Sequence, residues 1–160
     1  MPLDQFGVVY AAHHVRLVRL VGLLGIPTSE AADLVADVFA RVFPKWTAGQ
    51  IDNVGGYLTT AVTNAVRDRQ RVRGVAFEPL SDDLVGVADE IPDIGGLERL
   101  RWALEQIGHL GREVVVLRFF DELSEQQTSE VLGVPVGTVK SRQSRALMAL
   151  RGLMNGEIDA

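Results

Sequence analysis

The sequence predicts an all-α protein in which an acidic linker joins two small helical domains. Apolar residues recur at the helical period in two blocks, residues 1–73 and 97–156, and no stretch alternates at the strand period. The segment between the blocks, residues 74–96, contains two prolines and several glycines and has no sustained period. Since 160 residues are enough for two small cores, we expect each block to form its own domain.

The N-terminal block predicts three helices, at about residues 4–24, 30–43 and 54–73. Gly25 is a stop signal for the first helix, Ser29 is a candidate cap for the second, and Pro44 is expected to end the second. A polar loop over residues 47–56 leads into the third helix, whose apolar stripe includes Leu58 and Val62. We therefore expect a three-helix domain with this loop at its surface.

The C-terminal block predicts four helices, at about residues 97–107, 111–120, 124–132 and 135–154. Ser124 is a candidate N-cap, and Gln127 three residues later can complete a capping box. Gly133 suits the left-handed position after a helix, and Pro135 suits the start of the next, where its missing N–H costs little. This order of helix, tight turn and helix predicts a helix-turn-helix over residues 123–151.

The charge of the chain is unevenly distributed. The net charge is -5, but residues 74–98 hold seven acidic residues and no Lys or Arg, so the rest of the chain carries +2. Residues 67–73 contain four Arg and one Asp, and residues 140–151 contain one Lys, three Arg and no acid. Because the second basic run coincides with the second helix of the helix-turn-helix, this helix is expected to lie in the major groove of DNA.

Several classes of function are disfavoured by the sequence. There is no cysteine and no phosphate-binding glycine loop, and the acidic residues cluster in the linker. His13 and His14 are adjacent, which places them about 100° apart on a helix and poorly for a shared metal. The longest apolar stretch, residues 15–26, is interrupted by Arg16 and Arg19. We expect no catalytic residues, metal, cofactor, small-molecule substrate, signal peptide or membrane span.

Two sets of motifs resemble bacterial RNA polymerase sigma factors, especially the extracytoplasmic-function (ECF) group. Residues 132–147, with the string Leu-Gly-Val-Pro-Val-Gly-Thr-Val-Lys-Ser-Arg, and residues 110–119 resemble region 4 of that family. Residues 32–41 with Trp46, and residues 56–69, resemble region 2. Because the two resemblances occur in the family's order and together cover nearly the whole chain, they are more specific than either alone.

The resemblance implies three interfaces. The second helix would bind the core polymerase through Asp33, Leu34, Asp37, Val38 and Arg41. The loop and the third helix would read and open the minus-10 promoter element through Gln50, Ile51, Asp52, Asn53, Tyr57, Thr60, Asn64, Arg67, Asp68 and Arg71. The helix-turn-helix would read the minus-35 element through Val136, Gly137, Thr138, Lys140, Ser141, Arg142, Ser144 and Arg145.

The implied function is that of a sigma factor, working with RNA polymerase core enzyme and promoter DNA in the cytoplasm, at the nucleoid when active, and held by an anti-sigma protein. The acidic linker would thread basic polymerase channels. Two alternatives remain open: a helix-turn-helix regulator of another kind, and a sigma-like interaction protein that does not initiate transcription. Thr128 and Gln143 depart from the family pattern, in which apolar residues are usual. We expect either loose packing there or an outward turn of Gln143 toward DNA.

Overall fold

The computed structural model describes residues 3–74 and 96–155. Its helices are α1 (Leu3–Leu23), α2 (Thr28–Thr47), α3 (Val54–Val72), α4 (Gly96–Gln106), α5 (His109–Val115), α6 (Glu125–Leu132) and α7 (Val136–Asn155), with a π-helical segment, Val116–Phe120, after α5. No strand occurs within these two ranges, so the all-α prediction is confirmed. The acidic linker predicted over residues 74–96 lies, apart from its end residues, outside the described residues.

The chain divides into two compact units, residues 1–75 and 76–160. In the first unit α1, α2 and α3 all contact one another around a core of aliphatic side chains. The fully buried members of this core include Leu17, Leu20, Val35, Leu58 and Val62. Each such side chain stabilises the fold by roughly 1.5–3 kcal/mol through removal of apolar surface from water.

An aromatic cluster joins the start of α1 to the end of α2. The ring centroid of Phe6 lies 5.8 Å from that of Phe39, 4.5 Å from that of Phe43 and 5.7 Å from that of Trp46. Edge-to-face pairs of this kind contribute about 0.5–1.5 kcal/mol each beyond the area they bury. The cluster therefore holds the last turns of α2 against α1.

Two expectations about α2 are wrong. Pro44 does not end the helix, which continues to Thr47, and Ser29 does not cap it, since Pro27 occupies the N-cap position with no side-chain hydrogen bond. Proline removes only one helical hydrogen bond near a helix end, and the Pro44 carbonyl accepts hydrogen bonds from the Ala48 N–H and the Thr47 hydroxyl. The aromatic cluster on either side of Pro44 adds the packing that sequence signals did not show.

In the second unit α4, α5 and α6 all pack on α7, the longest helix of the unit. Its core includes Ile107, Val114, Leu117, Val139 and Ala146, all fully buried. The predicted helix over 111–120 begins earlier, at His109, and its second half has π-helical hydrogen bonding. The wider π turn places Arg118 beside α7, where it contacts Gln143.

A first prediction concerns Thr128 in α6. This side chain is fully buried, and its hydroxyl has no hydrogen-bond partner among the described residues. Thr128→Val should therefore raise the free energy of unfolding of the second unit by about 1 kcal/mol, because no hydrogen bond is lost. Amide hydrogen exchange of α5, α6 and α7 measures the change. Thr63→Val is the matched contrast, since the buried Thr63 hydroxyl donates to the Thr59 carbonyl at 2.8 Å and its loss should destabilise the first unit.

A second prediction concerns pH. The Glu30 carboxylate accepts hydrogen bonds from Arg69 at 3.2 Å and from Arg73 at 3.1 Å, and the Arg73 hydrogen bond is the main cause of a Glu30 pKa below its usual 4.5. A carboxylate with a lowered pKa stabilises the folded state above its ordinary pKa, and this contribution disappears as pH falls through the folded value. Glu30→Gln should thus lower the melting temperature at neutral pH and match the native chain in acid. An equal deficit at both pH values would contradict this assignment.

Candidate nucleic-acid interfaces

An open groove of about 740 Å³ lies in the first unit between α2, the following loop and α3. It gathers eight of the ten residues predicted for the minus-10 element, namely Gln50, Ile51, Asp52, Asn53, Tyr57, Thr60, Asn64 and Asp68. The other two, Arg67 and Arg71, do not line it, and Arg71 instead pairs with Asp68 at 3.0 Å. Carboxamides, hydroxyls and an aromatic ring thus surround one concave surface of nucleotide size.

The loop that borders this groove is fixed at the start of α3. Asn53 is the N-cap, and its side-chain oxygen accepts a hydrogen bond from the Gly56 N–H at 3.2 Å. A Cβ on Gly56 would lie 2.9 Å from the Asn53 amide nitrogen, so the cap requires glycine or a displaced Asn53. Arg16 of α1 donates to the Thr59 hydroxyl at 3.1 Å, which ties the second turn of α3 to α1.

Lys45 is a groove residue that the sequence analysis missed. Its ammonium donates to the Tyr57 hydroxyl at 3.1 Å and lies 5.8 Å from the Tyr57 ring centroid. Both side chains line the groove, so a positive charge and an aromatic ring stand together. Lys45 was missed because α2 was expected to end at Pro44, which would have left Lys45 in a loop.

The residues predicted to bind the polymerase separate into two groups. Asp33, Asp37 and Arg41 recur every fourth residue and are exposed, so they form one outward stripe of α2. Leu34 and Val38 are only 2% and 1% exposed and belong to the core of the unit. They offer little surface in this conformation, although Val38 lines the groove and Leu34 lines a smaller neighbouring one, so their assignment to the polymerase interface stays a prediction.

The helix-turn-helix has the local geometry that its sequence predicts. Ser124 and Gln127 form both hydrogen bonds of the capping box, at 3.0 and 2.8 Å. Gly133 has φ +69°, the left-handed conformation that ends α6. The Ser129 hydroxyl donates to the Val134 carbonyl at 2.7 Å and so fastens the turn, a role the sequence did not indicate.

Helix α7 presents one polar, basic face to solvent. Gly137, Lys140, Ser141, Ser144 and Arg145 are exposed along it, whereas the other three predicted residues, Val136, Thr138 and Arg142, are half-buried at its edges. Arg145 donates to the Ser141 hydroxyl at 3.0 Å, and Lys140 lies 4.0 Å from Glu125 of α6. Met148 continues the same face and is 69% exposed, which the sequence analysis did not indicate. Such a face suits base edges and phosphates.

Of the two alternatives for region 4, an outward turn of Gln143 toward DNA is wrong. Gln143 is half-buried, and its side-chain oxygen accepts a hydrogen bond from the Arg118 Nε at 3.0 Å. The polar side chain is therefore paired within the unit and directed away from the exposed face of α7.

No helix within residues 3–74 and 96–155 is long and apolar enough to span a membrane. No group of three His, Asp or Glu side chains in these ranges is arranged to hold a metal ion.

Comparison with known proteins follows the division into two units. Family models described as "Sigma-70 region 2" and "Sigma-70, region 4" match residues 9–75 and 103–152. The chain is 33% identical over 135 residues to the RNA polymerase sigma-E factor of Streptomyces antibioticus, which spans 81% of this chain and 73% of that protein. It is 30% identical over 151 residues to the ECF RNA polymerase sigma factor SigM of Mycobacterium tuberculosis, and this match spans 93% of this chain and 76% of that protein. The chain belongs to the ECF family of RNA polymerase sigma factors.

This sigma factor family is not a family of enzymes. The chain is also 32% identical over 147 residues to SigE of Mycolicibacterium smegmatis, although it spans only 57% of that protein's length. Two solved structures share its fold at 23% identity: CnrH in complex with the cytosolic domain of CnrY (TM-score 0.71, 96% of this chain and 90% of that one), and RpoE in complex with the anti-sigma factor NepR from Bartonella quintana (TM-score 0.74, 95% and 98%).

A third prediction separates fold from binding at two glycines of the helix-turn-helix. Gly133→Ala should lower the free energy of unfolding by about 1 kcal/mol, because alanine is strained at positive φ. Gly137→Ala should raise it by up to about 1 kcal/mol, since Gly137 is helical and an added Cβ would meet open space. The same methyl group would hold α7 away from DNA, so Gly137→Ala should also weaken duplex binding. Denaturant unfolding and fluorescence anisotropy measure the two effects, and tighter DNA binding by Gly137→Ala would contradict the proposed face.

Proposed function

We propose that this sigma factor directs RNA polymerase core enzyme to specific promoters and helps to open the minus-10 element. The observation that carries the proposal is the groove of the first unit. An extruded base costs a few kcal/mol to unstack, so a protein that opens DNA needs a concave, polar site to hold it. The groove is concave and carries polar side chains among apolar ones, and the Asn53 cap fixes the end of its loop at α3.

The pairing of Lys45 with Tyr57 supports the same role. An aromatic ring accepts a stacked base of any sequence, and a neighbouring cation attracts the phosphate backbone of a single strand. Tyr57 is 37% exposed, so one part of its ring is free to stack while its hydroxyl is oriented by Lys45. We assign these two residues to the displaced strand next to the captured base.

The outward stripe of α2 is the proposed contact with the polymerase. Asp33, Asp37 and Arg41 present two carboxylates and one guanidinium on a helix whose opposite side is packed in the core. Charged side chains at an interface set orientation and association rate more than affinity. Asp33, Asp37 and Arg41 would supply the exposed part of this contact, and the nearly buried Leu34 and Val38 would lie beneath it.

In region 4, we assign the exposed face of α7 to the minus-35 element. Lys140, Arg142 and Arg145 would contact guanine edges or phosphates, while Ser141 and Ser144 would donate to phosphate oxygens. The domain roles follow: residues 1–73 bind polymerase and the minus-10 element, residues 97–156 bind the minus-35 element, and the acidic segment 74–96 threads a basic channel of the polymerase.

We further propose an anti-sigma protein as a regulatory partner, because RpoE, which shares the fold, was solved in complex with the anti-sigma factor NepR. The working place of the chain would be the cytoplasm, at the nucleoid, where promoters and polymerase are. No catalytic step, cofactor or small-molecule substrate is needed for this function, since binding energy alone accounts for recognition and opening.

A fourth prediction tests the function directly. The purified chain is combined with core polymerase from the same organism and fragmented genomic DNA, and the run-off transcripts are sequenced. We expect transcripts that start downstream of a shared two-part motif and that disappear when the chain is omitted. Stable binding to polymerase without any transcript would contradict the proposal and would favour a sigma-like interaction protein, whereas DNA binding without polymerase binding would favour a separate regulator.

A fifth prediction concerns the charges on α7. Lys140→Ala and Arg145→Ala should each weaken binding to a duplex carrying the upstream motif, and each should reduce the slope of log affinity against log salt by about one unit per lost phosphate contact. Arg101→Ala on α4 is the control, because it removes the same charge from an exposed position in the same unit. An unchanged slope in both α7 variants would place DNA on another face.

A further inference from the structure

Arg118 connects the two helices of the helix-turn-helix. Its Nε donates to the Gln143 side-chain oxygen in α7 at 3.0 Å, and its Nη1 donates to the backbone carbonyl of Leu123, the residue before the α6 cap Ser124. The guanidinium also lies 5.2 Å from the ring centroid of Phe119, which restricts its orientation further. One half-buried side chain from the π-helical segment thus reaches both the start of α6 and the middle of α7.

The two ends of this helix pair are fastened by different contacts. At the turn, Ser129 is bonded to Val134 through its hydroxyl, and its carbonyl accepts the Gly133 and Val134 N–H groups. The other end of α6 lies about 12 Å away, the length of eight helical residues. Gln143 lies two turns along α7 and contacts Arg118, which also binds Leu123 at the start of α6. The exposed residues from Gly137 to Ser141 therefore lie between the turn contact at Ser129 and the Arg118 contact.

We propose that Gln143 is a positioning residue for minus-35 recognition: its hydrogen bond to Arg118 sets the orientation of α7 relative to α6. This inference rests on the proposed function of α7. Apolar contacts between the helices are non-directional and tolerate small rotations, whereas a hydrogen bond from a guanidinium fixes both distance and angle. A rotation of α7 moves Ser141 and Ser144 across the groove of the DNA, so base discrimination depends on the angle that the bond sets.

The chemistry of the site explains why an amide is suited to this position. Leucine at position 143 would add apolar contacts with neighbours such as Val139 and Ala146, both fully buried, but would leave the Arg118 Nε without this acceptor. The cost would then appear in the placement of α7 and not in the stability of the core. A merely structural residue would show the opposite pattern, with loss of stability and unchanged discrimination.

The test uses the full chain bound to core polymerase and a pool of promoter duplexes randomised over the upstream motif, with selected sequences counted. The variants are Gln143→Met, which keeps size and removes the acceptor, Gln143→Glu, which keeps the acceptor, and Arg118→Lys. Gln106→Met on α4 is the matched control. Thermal unfolding is measured for each. The readout is the ratio of selected counts for preferred duplexes to those for singly mismatched duplexes. This ratio is used because the added charge of Gln143→Glu weakens binding to all duplexes alike.

We expect Gln143→Met and Arg118→Lys each to reduce this ratio about tenfold, the factor equivalent to one hydrogen bond to a charged group, and their combination to reduce it no further. Gln143→Glu should retain discrimination, and Gln106→Met should not change it. The proposal is overturned if Gln143→Met discriminates as well as the native chain, if its loss parallels a fall in melting temperature, or if Gln143→Glu is equally defective. If the native chain selects no upstream motif, the assignment of α7 to promoter DNA fails first, and this inference fails with it.

Discussion

The constraint on which the rest of the structure depends is the small size of the two cores. Small domains bury a limited fraction of their surface, so each helix has to contribute an apolar stripe along most of its length. Leu17, Leu58 and Val62 do this in the first unit, and Leu117 and Val139 do it in the second. The remaining helix surface is mostly polar, with isolated exceptions such as the exposed Val8, Val72 and Met148.

The proposed interfaces are consequently the complements of the cores. On α2, Leu34 and Val38 point inward, and their sequence neighbours Asp33 and Asp37 are exposed. On α7, Val139 is buried while Ser141, two residues later, lies on the open face. Because one residue corresponds to about 100° of helix rotation, a shift of one position in the pattern would turn the apolar stripe away from the core and expose much of it. The same apolar periodicity thus determines both how each unit folds and which residues can meet DNA or polymerase.

How much the sequence could predict depended on the distance over which each interaction acts. The capping box was predictable because it joins two residues within one helical turn, Ser124 and Gln127. The left-handed conformation of Gly133 was predictable because it depends on the residue type at that single position. The continuation of α2 past Pro44 was not predictable, because it accompanies packing of Phe43 and Trp46 against Phe6, which is far away in sequence. The same error removed Lys45 from the expected groove. Resemblance to a family located a candidate binding helix, but it could not show that Leu34 and Val38 on that helix are almost fully buried.

Thr128 and Gln143 in region 4 show that the effect of a polar side chain depends on whether it has a hydrogen-bond partner. Thr128 and Gln143 both stand where apolar residues are usual, and sequence alone predicted a loss of packing at either. Thr128 is buried without a partner among the described residues, so its hydroxyl lowers stability and adds no directional contact. Gln143 meets Arg118, 25 residues earlier in the chain, and the same kind of polarity there produces a directional bond. Since apolar packing resists rotation of a helix less well than such a bond does, a small core can gain angular definition from a polar residue at a site where it also loses some apolar burial.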